Sequence, residues 1–275
     1  MSKAVCPVCF HHCSLDEGQY GLCRARKNEG GTIVCANYGC VTALALDPIE
    51  KKPLKRFFPG SRILSAGSFG CNLKCPFCQN HSIADAGEKD CSYRIITPQE
   101  ICEAALTAKP RGNIGVAYTY NEALTGYEFV LDTAKLVHEA GMKNVMVTNG
   151  TAELWVLEKL LPYIDAMNID LKTIRPENYR KLSGDLDPVL KFIERAAKDC
   201  HVEITTLVVP GISDSAEDMH REAEWIAGID PEIALHVTRY FPMHHMTAPP
   251  TDIRLVKELA GIAREHLRYV YTGNI

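Results

Sequence analysis

The chain carries no apolar run long enough to span a bilayer, and its opening residues, Met1-Ser2-Lys3-Ala4-Val5-Cys6, lack the apolar stretch of a secretory signal. A cytoplasmic protein with no membrane partner is the expectation. An excess of one charge is also missing: 30 Lys and Arg stand against 34 Asp and Glu, mixed along the chain, for a net charge of -4. Such a balance predicts no broad electrostatic footprint for nucleic acid or an anionic membrane. Nor does a Gly-rich dinucleotide loop follow the first strand-like segment; a cysteine loop stands there instead.

What the chain does have is cysteine, 12 in 275 residues. In a small secreted domain that number suggests disulfides, whereas clustered spacing in a larger cytosolic chain points to metal or redox chemistry. Cys6, Cys9, Cys13, Cys23, Cys35 and Cys40 all fall in the first forty residues, where no helical periodicity is visible. This predicts a small metal-stapled module. The following stretch DPIEKKPLKRFFPGS, residues 47–61, is rich in proline and basic residues and is expected to be irregular and largely on the surface. The domain boundary is placed near Gly60, giving a Cys-rich module and linker over 1–60 and a main domain over 61–275.

From Arg62 onward, short β-branched segments alternate with helical patterns, the signature of βα units and a parallel sheet. Six strands are expected, at 63–67, 115–120, 144–148, 166–171, 202–209 and 233–240. Thr97-Pro98-Gln99-Glu100 combines a cap residue, a first-turn proline and a capping-box glutamate ahead of one helix, and Gly141 stops the next, over 127–140. Further helical patterns run over 152–161, 188–198, 216–227 and 252–266. Such a chain forms either a doubly wound open sheet or an incomplete barrel, with active residues at the strand C-termini in both. The cysteine loop after the first strand favours the α/β reading of a partial (β/α)6 TIM-like barrel.

That loop reads GCNLKCPFCQN, with Cys71, Cys75 and Cys78 spaced by three and then two residues. Three thiolates on one loop can hold three corners of an iron-sulfur cube and leave the fourth iron open. A zinc site is the plainer alternative, with His81 as a fourth ligand. The spacing, with Phe77 before the last cysteine, resembles the radical S-adenosylmethionine (radical SAM) superfamily. Along nearly the whole chain, the cysteine run, DPIEKKPL, FPGS, YTYNE, VTNG, NIDLK, VVPGISD and YTGN resemble in their order the radical SAM component of the AmmeMemoRadiSam system, a relative of pyruvate formate-lyase activating enzymes.

The resemblance implies a 4Fe-4S cluster on Cys71, Cys75 and Cys78, S-adenosylmethionine on its open iron, and an oxidoreductase that abstracts hydrogen through a 5'-deoxyadenosyl radical. It also implies a flavodoxin or ferredoxin as electron donor and either a protein substrate, as for the activating enzymes, or a small molecule. Tyr120, Asn121 and Glu122 occupy the place of a Gly-Gly-Glu-Pro segment, which makes Glu122 the candidate contact for the cofactor's ammonium. Phe77, Asn149, Asp170 and Lys172 complete the candidate cofactor-binding set. The bland alternatives are strand-end capping and, for Asp170, an ion pair with Lys172 or Arg175. Val147 stands where the activating enzymes have an aspartate, so a cation site dependent on that aspartate is not carried over. Arg239, Tyr240, His244 and His245 are candidates for the substrate side, and no catalytic base is assigned.

Cys6, Cys9, Cys13 and Cys23 form a C-x2-C-x3-C-x9-C pattern sufficient for a four-thiolate site. Structural zinc is the plainest reading and a second iron-sulfur cluster the sharper one. Cys35, Cys40, His11 and His12 compete for places in it. Cys91, Cys102 and Cys200 are isolated, and Cys102 reads as a buried apolar residue. The contrasting function is a non-catalytic iron-sulfur electron carrier or zinc-stapled binding module, for which a cluster held by four cysteines would be the mark.

Overall fold

The computed structural model describes residues 3–275; Met1 and Ser2, at the start of the 1–60 module, lie outside the described residues. Among the described residues, eight strands form one sheet: β1 (Ala43–Pro48), β2 (Arg62–Gly67), β3 (Asn113–Tyr118), β4 (Lys143–Thr148), β5 (Ala166–Asp170), β6 (His201–Val208), β7 (Ala234–Arg239) and β8 (Val270–Gly273). They lie side by side in chain order, every neighbouring pair parallel except the antiparallel β1 and β2. A doubly wound sheet reverses its strand order at a switch point, and this one does not. The two edges are unpaired with each other, so the barrel is incomplete.

Strand alternation sorts the side chains into two faces. Leu64, Val116, Met146, Met167, Ile204, Leu235 and Val237 share one apolar core with the inner faces of helices α1 (Pro98–Ala108), α2 (Tyr127–Glu139), α3 (Leu154–Leu160), α4 (Leu186–Ala196), α5 (Ala216–Ile229) and α6 (Ile253–Ala263). The α1 start is the expected capping box: Thr97 Oγ1 accepts from Glu100 N at 3.2 Å, and Glu100 Oε2 accepts from Thr97 N at 2.7 Å. Cys102, on the inner face of α1, is buried in that core. Among the described residues no helix is long and apolar enough to cross a membrane.

The opposite, concave face is filled from an unexpected source. Residues 43–48, which the sequence reading leaves in the module and linker, are the antiparallel edge strand β1; of the linker after them, Lys51, Lys55, Phe58, Pro59 and Gly60 are exposed as expected, but Ile49, Lys52 and Leu54 are buried inside the barrel. Ile49 and Leu54 are fully buried against Ile63, Ala117, Val145 and Ala166. Lys52 is buried as well, its ammonium 2.8 Å from Asp47 Oδ2 and 4.6 Å from the centre of the Tyr120 ring. Backbone polar groups of this plug are met by strand side chains: Glu203 accepts from Lys55 N and Arg56 N, and Asn168 Nδ2 donates to Pro53 O. Prolines deprive the segment of sheet partners, so side chains from the barrel wall supply them.

The N-terminal residues fold as short antiparallel pairs, Arg26–Glu29 with Thr32–Cys35 and Ala4–Val5 with Ser14–Leu15. They dock on the barrel through a bridge between Cys9 and Ala152, through Glu153 N donating to Val8 O, and through Trp155 Nε1 donating to Pro7 O at 3.0 Å. Arg26 of this module is buried and forks onto Glu128 of α2 at 2.6 and 2.7 Å.

Candidate active site

The cysteine loop leaves β2 at the C-terminal rim of the barrel. Its first turn is held by Asn121, whose Oδ1 accepts from Ser68 N and whose Nδ2 donates to Phe69 O and Gly70 O, the latter two at 3.1 Å. Gly70 has φ +91°, and a Cβ there would lie 2.5 Å from the Cys23 carbonyl oxygen. Only glycine lets the loop pass this close to the N-terminal module. Further on, Lys74 N donates to Leu182 O and Cys78 N to Cys75 O.

Burial dominates the chemistry of the three thiols. It pushes Cys71 well above the ordinary range and Cys75 up to about 12, the latter against the pull of the Lys172 ammonium. The Cys71 sulfur accepts from Leu73 N at 3.4 Å and Asn149 Nδ2 at 3.7 Å. Half-buried thiols with N–H donors close to the sulfur form a setting in which a bound metal centre would stabilise the thiolates. Among the described residues no three thiols lie within 4.8 Å of one another. A tetrahedral zinc site, with Zn–S bonds near 2.3 Å, needs sulfurs only about 3.8 Å apart. The His81 ring, raised above as a zinc ligand, has Nδ1 3.2 Å from Cys78 O and stacks on His244.

Asn149, at the end of β4, is the hub of the rim. Its Nδ2 also donates to Asn72 Oδ1 at 3.0 Å, and its Oδ1 accepts from Thr151 N and Oγ1. Asn72, a buried residue that the sequence reading passed over, closes the circuit by donating to Thr151 Oγ1 at 2.7 Å. Nothing in its sequence context marks it apart from its cysteine neighbour. At the end of β5, Lys172 Nζ lies 2.7 Å from Asp170 Oδ2. Burial pulls that ammonium's pKa down, but Asp170 and Cys75 outweigh it and hold the group charged. Arg175, the alternative partner for Asp170, pairs with Asp218 instead at 2.6 Å.

Three other candidates are placed differently. Glu122 is buried, with Oε1 accepting from Thr148 Oγ1 and Leu124 N and Oε2 from Asn149 N at 2.7 Å. Burial outweighs those bonds and pushes its carboxyl up to about 7. Tyr120 turns inward, its hydroxyl donating to Asp47 Oδ2 at 2.6 Å. Phe77 is buried with Leu182, Val209 and Tyr240 beneath the loop.

The loop after β7 leans on the same rim. His245 N donates to Pro76 O, and His244 Nε2 lies 3.2 Å from Asp85, which also holds Lys74 at 2.8 Å. Tyr240 points away, its hydroxyl donating to Met246 O and Ala248 O, and Arg239 Nε donates to Thr251 O. Around the N-terminal cysteines, a cavity is lined by Cys6, Cys9, Cys13 and Cys23 with His11, Arg26 and Asn72. Cys35 and Cys40 do not line it; Cys35 Sγ lies 3.2 Å from Asn37 Oδ1, and Cys40 Sγ faces Ala36 O. His12 points to Glu153 at 3.1 Å.

The chain is similar to known proteins in sequence and in fold. A model of the radical SAM superfamily matches residues 67–223. An uncharacterized protein of Methanocaldococcus jannaschii, MJ0808, is 40% identical over 280 residues, covering 100% of this chain and 82% of that protein. The pyruvate formate-lyase 1-activating enzyme of Escherichia coli K12 is 29% identical over 175 residues, covering 61% of this chain and 69% of that protein. Among solved structures, Streptococcus suis SuiB bound to S-adenosylmethionine superposes with a TM-score of 0.59 at 16% identity, over 74% of this chain and 48% of that one. A radical SAM methyltransferase from Sphaerobacter thermophilus gives 0.58 at 16% identity, over 78% and 67%. With more than half of its length matched by the family model and its whole length by a close relative, the chain belongs to the radical SAM superfamily.

Proposed function

We propose that the chain cleaves S-adenosylmethionine reductively at a 4Fe-4S cluster held by Cys71, Cys75 and Cys78, and uses the outcome to abstract hydrogen from a substrate. The observation that carries this reading is the rim itself: three half-buried thiols on one loop at the C-terminal end of the first parallel strand, with Asn149 Nδ2 on the Cys71 sulfur. Bound together there, the cluster and its cofactor supply one-electron cleavage of the sulfonium and a carbon radical able to take a hydrogen atom.

The chain's own residues supply position and charge. Asn149 and the Asp170–Lys172 pair present polar groups at the ends of β4 and β5, where the ammonium and carboxylate of an amino-acid moiety find complementary partners. Glu122 acts one step back, fixing Asn149 through its backbone N–H and joining the ends of β3 and β4. Asn121 sets the loop's exit angle, Phe77 anchors the loop in an apolar cluster, and Tyr120 ties the end of β3 to Asp47 inside the barrel. Similarity to the activating enzymes favours a protein substrate, reduced flavodoxin or ferredoxin as donor, and a cytoplasmic setting.

The test is electron paramagnetic resonance on protein reconstituted anaerobically with iron and sulfide and then reduced. Addition of S-adenosylmethionine is expected to change a cluster signal in the wild type, and this cofactor-responsive signal is expected to be missing from Cys75→Ala. A reduced protein in which no cluster signal responds to the cofactor would favour the electron-carrier reading.

A further inference from the structure

We propose that Cys6, Cys9, Cys13 and Cys23 hold a second iron-sulfur cluster, hydrogen-bonded by Arg26 Nε–H, which acts as the one-electron inlet to the Cys71–Cys75–Cys78 site. The inlet role rests on the radical SAM reading of that site; the metal site stands independently of it.

Four thiols line one cavity; of the competing ligands only His11 shares it, and its Nε2 is taken up by a backbone carbonyl. His11 Nε2 lies 2.8 Å from Asn72 O, His12 faces Glu153, and Cys35 and Cys40 are outside the cavity. As in the rim triad, no three of these sulfurs come within 4.8 Å of one another among the described residues. The sulfurs of a single tetrahedral zinc ion stand about 3.8 Å apart, given Zn–S bonds near 2.3 Å. Sulfurs spread around a cavity suit a larger inorganic core, and four thiolates complete its ligand set.

A second observation is independent of the sulfurs. Arg26 lines the cavity, is only 4% exposed, and spends its terminal nitrogens on Glu128, while its buried Nε has no hydrogen-bond partner. A buried N–H left unpaired is costly, and a cluster sulfur is an acceptor that would satisfy it. Such hydrogen bonds raise a cluster's reduction potential.

Position gives the site its role. Asn72, next in sequence to Cys71, lines the cavity, and its carbonyl meets His11. The backbone of Gly70, on the other side of Cys71, passes against the Cys23 carbonyl. The two sulfur sets are therefore in contact through residues flanking Cys71 on both sides. One electron enters from a reduced flavodoxin or ferredoxin, which is oxidised by one electron, and one leaves to the rim site. No bond forms or breaks, and the inlet returns to its starting state.

The full chain with Cys71, Cys75 and Cys78 all replaced by Ala, incubated anaerobically with ferrous iron and sulfide, is expected to retain iron and sulfide in equal amounts with thiolate-to-iron absorption. Zinc without sulfide, or no retained metal, overturns the site. Arg26→Lys in that background keeps the cation and removes Nε–H, and the remaining cluster's potential is expected to fall; an unmoved potential overturns the role of Arg26. With Cys71, Cys75 and Cys78 restored, Cys13→Ser is expected to lose the rapid phase of rim-site reduction by reduced flavodoxin, read by paramagnetic resonance, while titanium(III) citrate still reduces that site. Equally rapid reduction by flavodoxin overturns the inlet. A rim site that forms no cluster in wild type would instead defeat the radical SAM reading, leaving the iron count of the Ala variant intact.

Discussion

Glu203 sits inside the barrel with no solvent exposure and four donors on its two oxygens. Arg56 N and His201 Nε2 meet Oε1 at 2.7 and 3.0 Å, and Lys55 N and His236 Nε2 meet Oε2 at 3.0 and 2.6 Å. Burial alone would raise the carboxyl's pKa, but these bonds outweigh it and bring it from the ordinary 4.5 down to about 2. A depression of that size corresponds to about 3 kcal/mol of folding stability at neutral pH. Because the folded value is the lower one, this stability is present above pH 4.5 and is lost as the pH falls through 2. Glu203→Gln keeps the shape but loses the charge and turns an amide donor toward existing donors. In urea titrations the variant should therefore unfold more easily by about 3 kcal/mol at pH 7, the gap narrowing to about 1.4 kcal/mol at pH 3. A loss below about 1 kcal/mol at pH 7, or a gap unchanged at pH 3, would refute the reasoning that this carboxylate anchors the plug.

Leu54→Ala empties a fully buried place in the plug core, and a loss of about 2 to 4 kcal/mol in the same titration is expected, whereas a surface linker would lose almost nothing. Gly115→Ala would put a Cβ 1.7 Å from Lys143 O, so β3 and β4 cannot keep their register; the soluble yield and thermal midpoint should both drop sharply. Lys172→Met removes the cation beside Asp170 and Cys75, and a roughly tenfold or greater loss of S-adenosylmethionine affinity is expected by calorimetry on the cluster-loaded protein, corresponding to about 1.5 to 3 kcal/mol for a charged hydrogen bond.

Six of the eight strands announced themselves through β-branched segments between helical patterns, the short edge strand β8 not being among those expected, and Thr97 and Glu100 marked a helix start because a capping box is a local interaction. β1 and the plug were hidden because their partners are distant in sequence. Asp47, Lys52 and Leu54 have the composition of a solvated loop, and only Tyr120, Glu203 and the barrel wall make their burial affordable. Asn149, Asp170 and Lys172 lie at the ends of β4 and β5, a placement legible in the sequence because parallel strands deliver their C-termini to one edge. That logic does not give the direction of a side chain. Tyr120, at φ +77°, turns inward past Gly67, where a Cβ would stand 2.7 Å from its ring. Likewise, spacing along the chain identifies four N-terminal cysteines, but their gathering around one cavity with Arg26 is a tertiary fact.

Formation of 5'-deoxyadenosine is the most direct measure of radical chemistry at this rim. Anaerobically reconstituted and reduced wild type, incubated with S-adenosylmethionine, should release 5'-deoxyadenosine and methionine, while the variant with Cys71, Cys75 and Cys78 replaced by Ala should release neither. Equal product from both proteins, or none from a cluster-loaded wild type that binds the cofactor, would contradict the assignment of this rim as the seat of radical chemistry.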